Sequence, residues 1–142
     1  MGALQLNPSD SESVLCHLRA SADALTHDPQ VHAELAPNLS ELETAWLWGI
    51  DQALTQDVCD SAIALMRLYL LGGNCERGYD LYTRALRKVG CLPASAITSS
   101  QREHLRTGLL LCRANMSERL GRLADLEADA NEVMLVARRV RR

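Results

Sequence analysis

The densest alternation of apolar and polar positions runs from Ala62 to Val89 and predicts two antiparallel helices. Ala62, Leu65, Met66, Tyr69 and Leu70 recur at spacings of three and four, which stacks them on one side of a helix. Gly72 and Gly73 are expected to stop that helix, because glycine enters the left-handed conformation of a helix C-terminus without a Cβ clash. Asn74 then suits the N-cap of a second helix. Its apolar stripe is Cys75, Gly78, Tyr79, Tyr82, Ala85, Leu86 and Val89, and Gly90 is expected to end it. Helices joined by so short a turn lie antiparallel.

The rest of the chain reads as flanking helices. Residues 1–8 are expected to be disordered, residues 9–137 to form one domain and residues 138–142 a basic tail. Ser9-Asp10-Ser11-Glu12 has a capping-box pattern ahead of Val14, Leu18, Ala22 and Leu25. Asp28-Pro29 ends that helix and starts a short one through Leu35, with Pro37-Asn38 as a break. Ser40 to Glu43 repeats the capping pattern before Leu42, Ala45, Trp46, Ile50, Ala53 and Leu54, and Asp57 is expected to cap the helix that enters the central pair. A connector from Cys91 to Thr98 contains Pro93. Ser100 to Glu103 is a third capping pattern, Asn115-Met116-Ser117 the expected turn, and a last helix carries Leu120, Leu123, Ala124 and Ala130. The segment from Ser100 to Ala130 then resembles a second hairpin, displaced about 42 residues from the first, and a more distorted pair lies upstream.

Ala62, Leu65, Met66, Tyr69, Gly73, Gly78, Tyr82 and Ala85 stand at the spacings of the tetratricopeptide repeat, which this stretch resembles. Ala62 replaces the usual large residue, Met66 the first Gly, and Gly90 stands where Pro is usual. Leu65 to Gly73, Tyr79 to Arg87 and Val89 to Ser95 also look like the bacterial transcriptional activator domain, a tetratricopeptide-like module that accompanies a DNA-binding domain in bacterial regulators. The resemblance implies an all-α fold of antiparallel hairpins in a short superhelical array. It implies further a non-catalytic regulatory adaptor that binds a partner segment in a concave helical groove.

The 142-residue chain has room for one packed core, and its 47% hydrophobic content without any Phe fits a helical domain rich in Leu and Ala. No apolar run approaches the ~20 residues that span a bilayer, and no leader-like segment is read at the N-terminus, so a cytoplasmic protein is expected. Five widely spaced cysteines without a CxxC do not suggest a disulfide framework. Residues 1–60 hold ten acidic side chains against Arg19 alone, whereas residues 61–142 hold fourteen basic against eight acidic. Either the halves attract one another or each presents a separate solvated face.

No cofactor or metal is expected, since His17, His27, His32 and His104 show no offset of three or four that would place two ligands on one helical face. Gly72-Gly73 lacks the strand context and the Lys of a phosphate loop. The Arg138–Arg142 tail is too short, and too poor in aromatics, for direct nucleic-acid binding to be expected. In tetratricopeptide proteins the first helix of each hairpin lines the groove. Matching positions place Asp60, Ile63, Arg67 and Leu70 there, followed by Arg102, Leu105, Arg106, Leu109 and Arg113. The four arginines would grip an acidic or amphipathic peptide, unless they pair with neighbours, as Arg106 with Glu103. Trp46 and Trp48 point to different helical sides, and Trp48 is the candidate interface anchor. Two other roles fit the same chain: a small chaperone of the type III secretion kind, and a helical enzyme with a scattered site.

Overall fold

The computed structural model describes residues 10–140, and every regular element within them is helical. The expected disordered segment 1–8 and the end of the basic tail lie outside the described residues. In order, the elements are α1 (Ser11–Ala20), α2 (Ala24–His27), α3 (Pro29–Leu35), a 3-10 turn (Ala36–Asn38), α4 (Leu39–Asp51), α5 (Thr55–Gly72), α6 (Cys75–Cys91), α7 (Ser99–Leu120) and α8 (Leu123–Val140). Arg138 and Arg139 belong to the last turn of α8 and are not a separate tail.

The central pair forms as its pattern predicts. Gly73 closes α5 at φ +69°, in the left-handed region, and α6 starts two residues later. Tyr82 donates its hydroxyl hydrogen to the Ala62 carbonyl at 2.8 Å, a cross-helix bond that fixes the antiparallel register. Tyr82 also meets Trp46 and Tyr69 edge-on, with ring centroids 5.7 and 6.2 Å away. Trp46 is fully buried, and its indole N–H donates to the Val58 carbonyl at 3.0 Å. Three large rings are thus buried with every polar atom satisfied, because Tyr69 donates to Glu43 at 2.5 Å.

Around this pair the packing is stepwise. α1 packs on α4 and α5, α4 also touches α6, α7 packs on both α5 and α6, and α8 packs on α7. One apolar cluster runs through it from Val14 on α1 to Met116 on α7. The helices approach closely at Gly78, where a Cβ would lie 2.7 Å from the Met116 sulfur and 2.8 Å from the Tyr69 ring.

Several boundaries differ from expectation, each for a visible reason. The first helix stops at Ala20: Ser21 turns its hydroxyl back onto the His17 carbonyl, and Ala22 and Leu25 fall in a turn and in the separate α2. Pro29 opens α3 at its first position, as expected, and Asp28 caps that helix by accepting from the Gln30 N–H. Ser40 and Glu43 do not cap α4; they accept from Arg77 of α6. Asp57 lies in the first turn of α5 without capping it, and pairs with Arg19 at 2.5 Å. Asn74 occupies the N-cap position of α6 without a side-chain cap bond. Gly90 does not end α6, which runs on to Cys91; Pro93 ends it by holding Leu92 extended. The capping box of α7 is Thr98 with Gln101, two residues before the expected start. Asn115 to Ser117 is continuous helix, and the turn comes instead at Gly121, at φ +72°.

The two glycines nearest the α6 stripe should respond oppositely to alanine. Gly78→Ala forces a methyl group against a buried ring and a thioether and should cost about 1–3 kcal/mol. Gly90 is helical with nothing within 4 Å of an added Cβ, so Gly90→Ala should stabilise by about 0.5 kcal/mol. Urea unfolding midpoints, compared at unchanged slope, measure both.

Candidate interaction groove

Gly73 and Gly121 are both left-handed glycines ending a long helix, 48 positions apart. The following helices start at Cys75 and Leu123, also 48 apart. α5 with α6 and α7 with α8 therefore stand in one register at that offset, not at about 42. With this register the positions matching Asp60, Ile63 and Arg67 are Gly108, Leu111 and Asn115.

These residues meet. A groove of about 430 Å³ lies between α5 and α7, lined by Asp60, Ile63 and Met66 on one side and by Thr107, Gly108 and Leu111 on the other. Gln56, His104 and Asn115 stand at its edges, with Cys59 and Cys112 also in its lining. Ile63 and Leu111 leave 43% and 49% of their surfaces in solvent, although each sits mid-helix beside the core. Gln56 donates to Asp60 at 2.9 Å, which orients the one carboxylate among the lining residues. Burial pushes the Cys59 thiol up to about 11, with the neighbouring Asp60 charge adding to the effect. Burial pushes Cys112 up to about 12, the nearby Cys59 adding to it against the opposing effect of Tyr82. Both thiols are protonated at neutral pH and act as small apolar groups.

Of the residues singled out in sequence, Asp60 and Ile63 line this groove and the others do not. Arg67 donates to the Ala22 carbonyl, tying α5 to the turn after α1. Arg102 donates to the carbonyls of Val89 and Leu92 and so caps the end of α6. Arg106 pairs with Glu132 of α8, whereas Glu103 pairs with Arg139. Arg113 forms a two-pronged bond with Asp129 at 2.7 and 2.9 Å, contacts Thr83, and lies 5.6 Å from the Tyr79 ring centre. Leu105 and Leu109 are buried in the core, Leu70 packs against it, and half-buried Trp48 stands on α4, apart from the groove. An offset of 42 matches Ile63 to Leu105, which faces inward, and so passes over Leu111; Met66 belongs to the inward stripe by spacing, yet lies at its edge and also lines the groove. The Leu120-Gly121 pair, an echo of Leu71-Gly72-Gly73, was the available signal.

A smaller cleft of about 280 Å³ lies at the α2–α3 junction, between Leu25, His32 and Leu71. Its His32 Nε2 is buried without a hydrogen-bond partner. Among the described residues no group of three or more His, Cys, Asp or Glu is placed to hold a metal ion, and no helix is long and apolar enough to cross a membrane. The five cysteines are free thiols.

The arginines' structural attachment can be measured. Arg113→Ala would leave the buried Asp129 carboxylate unpaired and should cost about 3 kcal/mol or more. Arg106→Ala breaks a pair of which both side chains are more than a third exposed and should cost less than about 1 kcal/mol. Thermal and urea denaturation of the two variants give the comparison. Alkylation at pH 8 should label exposed Cys16 and Cys91 long before Cys59, with Cys59 gaining reactivity only as the pH nears its raised value. Peptide mapping by mass spectrometry reads the order. Compared with family models, curated proteins and solved structures, the chain matches none, so the groove has to be understood from its own geometry.

Proposed function

We propose that this chain is a non-catalytic protein-interaction module, a regulatory adaptor that takes an amphipathic segment of a partner protein into the groove between α5 and α7. The observation that carries this reading is the pair Ile63 and Leu111, equivalent positions on equivalent helices, both exposed and flanking one recess. Two large aliphatic side chains held in water beside a groove are a standing cost that a bound apolar face removes. The recess is lined along successive turns of α5 and α7, at Cys59, Ile63 and Met66 and at Thr107, Leu111 and Asn115, which suits a helix that anchors every third or fourth residue.

The partner chemistry follows from what is free. With Arg67, Arg102, Arg106 and Arg113 engaged inside the molecule, an acidic peptide has no ready clamp. Asp60 is the charged group in the lining, which favours a segment with an apolar stripe and a basic residue near one end. The stepwise packing and the shared 48-residue register support a short tetratricopeptide-like superhelix with the groove on its inner side. The activator-domain resemblance supports a bacterial, cytoplasmic regulatory setting.

Photo-crosslinking from position 63 or 111 in the native host should capture one partner segment. Ile63→Glu and Leu111→Glu should each reduce its capture about tenfold or more, with unchanged circular dichroism. Leu71→Glu, at an exposed leucine away from the groove, should leave capture unaltered. Equal capture by all three variants would remove the groove from consideration.

A further inference from the structure

The two walls of the α5–α7 groove present the same positions twice. At the 48-residue offset, Gln56, Cys59, Asp60 and Ile63 of α5 correspond to His104, Thr107, Gly108 and Leu111 of α7, and each of them lines the recess. The walls agree in kind at Ile63 and Leu111, both large, apolar and exposed. They differ most at Asp60 and Gly108, where one wall carries a carboxylate and the other no side chain. A Cβ on Gly108 would have one neighbour within 4 Å, the Cys59 sulfur at 3.9 Å, so α7 presents bare backbone to the recess here. Asp60, the residue after Cys59, is half-buried, and its Oδ1 accepts from the Gln56 side chain at 2.9 Å. No Lys or Arg stands in the lining, and among the described residues no cation pairs with Asp60.

We infer that the partner helix carries a lysine or arginine at this level, its aliphatic stem lying on Gly108 and the Cys59 thiol and its charged head on Asp60. This rests on the α5–α7 groove being the partner's seat, and it names the side chain the groove selects. A wholly aliphatic residue would cover Gly108 and Cys59 but strip water from the Asp60 carboxylate without replacing its hydrogen bonds, a larger effect than a few methylene contacts offset. An acidic residue would meet Asp60 with like charge. A Lys or Arg sets methylenes against apolar surface and a charged donor against the carboxylate at once. Ile63 and Leu111 lie one turn farther along the groove, with Met66 and Asn115 a turn beyond. A helix seated there therefore bears a large apolar residue three or four positions from its cation, and another about seven away. The lined stretch of α5, from Gln56 to Met66, is about 15 Å long, which matches about three turns of partner helix. Gly108 is then the specificity-determining position, because any larger side chain occupies the place of the stem.

A phage-displayed library of helical peptides, about fifteen residues or four turns long and randomised on one face, is the probe. Selection on the full chain should enrich Lys or Arg three or four positions from a large apolar residue, at least about fivefold over Glu or Asp at that place. Asp60→Lys should reverse the preference to Glu or Asp while keeping the apolar positions. Gly108→Leu should abolish the enrichment of the cation, with helical circular dichroism unchanged. Ile63→Glu should lose every enriched sequence, since it destroys the seat itself. Enrichment that depends on Ile63 but shows no preference for a cation overturns the inference and leaves the groove standing. So does a cation preference that persists in Asp60→Lys or in Gly108→Leu. Enrichment that survives Ile63→Glu, or none on the parent chain, overturns the inference and the groove together.

Discussion

Three helices converge on the missing side chain of Gly78. A Cβ there would collide with the Tyr69 ring of α5 and the Met116 sulfur of α7, so α5, α6 and α7 can approach as they do only with glycine at this point. Close approach lets the Tyr82 hydroxyl reach the Ala62 carbonyl and lets Tyr82 fill the space between Trp46 and Tyr69. Burial holds both phenols protonated far above their usual range, with the bond to Glu43 adding to it at Tyr69 and nearby Cys112 adding to it at Tyr82. The aromatic cluster thus supplies apolar area and cross-helix hydrogen bonds in one place, and hydrogen-bond geometry gives the packing a single register.

The central pair was legible in sequence because its signals are local: a stripe with helical spacing, two glycines and the small residue Gly78. The helical class followed from the same kind of evidence. What sequence misplaced depended on partners distant in the chain. Ser40 and Glu43 match a capping box, yet their side chains serve Arg77, 37 and 34 positions away. Asp57 matches a cap and serves Arg19. Asn115 to Ser117 resembles a turn, but Met116 and Ser117 are buried in a helix, where packing outweighs modest propensity. That misplaced turn shifted the second hairpin by six positions, and the shift carried the expected groove residues from Leu111 onto Leu105.

The uneven charge has a structural meaning that composition alone left open. Glu43 with Arg77 and Asp51 with Lys88 join the acidic first 60 residues to the basic remainder. Within the basic part, Arg106, Arg113 and Arg122 reach acidic partners on α8 and α6. Exposed pairs of this kind contribute little each, but their sign pattern favours one pairing of helices over others. Arg113 is the exception in strength. Its partner Asp129 is buried, and the stacking of Arg113 and Arg122 on Tyr79 covers the α6–α7 junction with cations.

The two open surfaces differ in how much the fold invests in them. The α5–α7 groove exists because Gly108 and Cys59 are small where the helices cross; a Cβ on Gly108 would sit 3.9 Å from the Cys59 sulfur. Larger residues there would fill the recess with the protein's own side chains, as Tyr82 and Leu86 fill the opposite side of the hairpin. The groove lining includes Cys112, which belongs to the same buried cluster as Tyr82, so the recess backs onto the aromatic core. The outer side of α8 has no such backing: among the described residues the helix packs chiefly on α7, and Leu123 and Met134 are exposed. A preformed recess suits a partner that must be chosen by shape, because little ordering is left to do on binding.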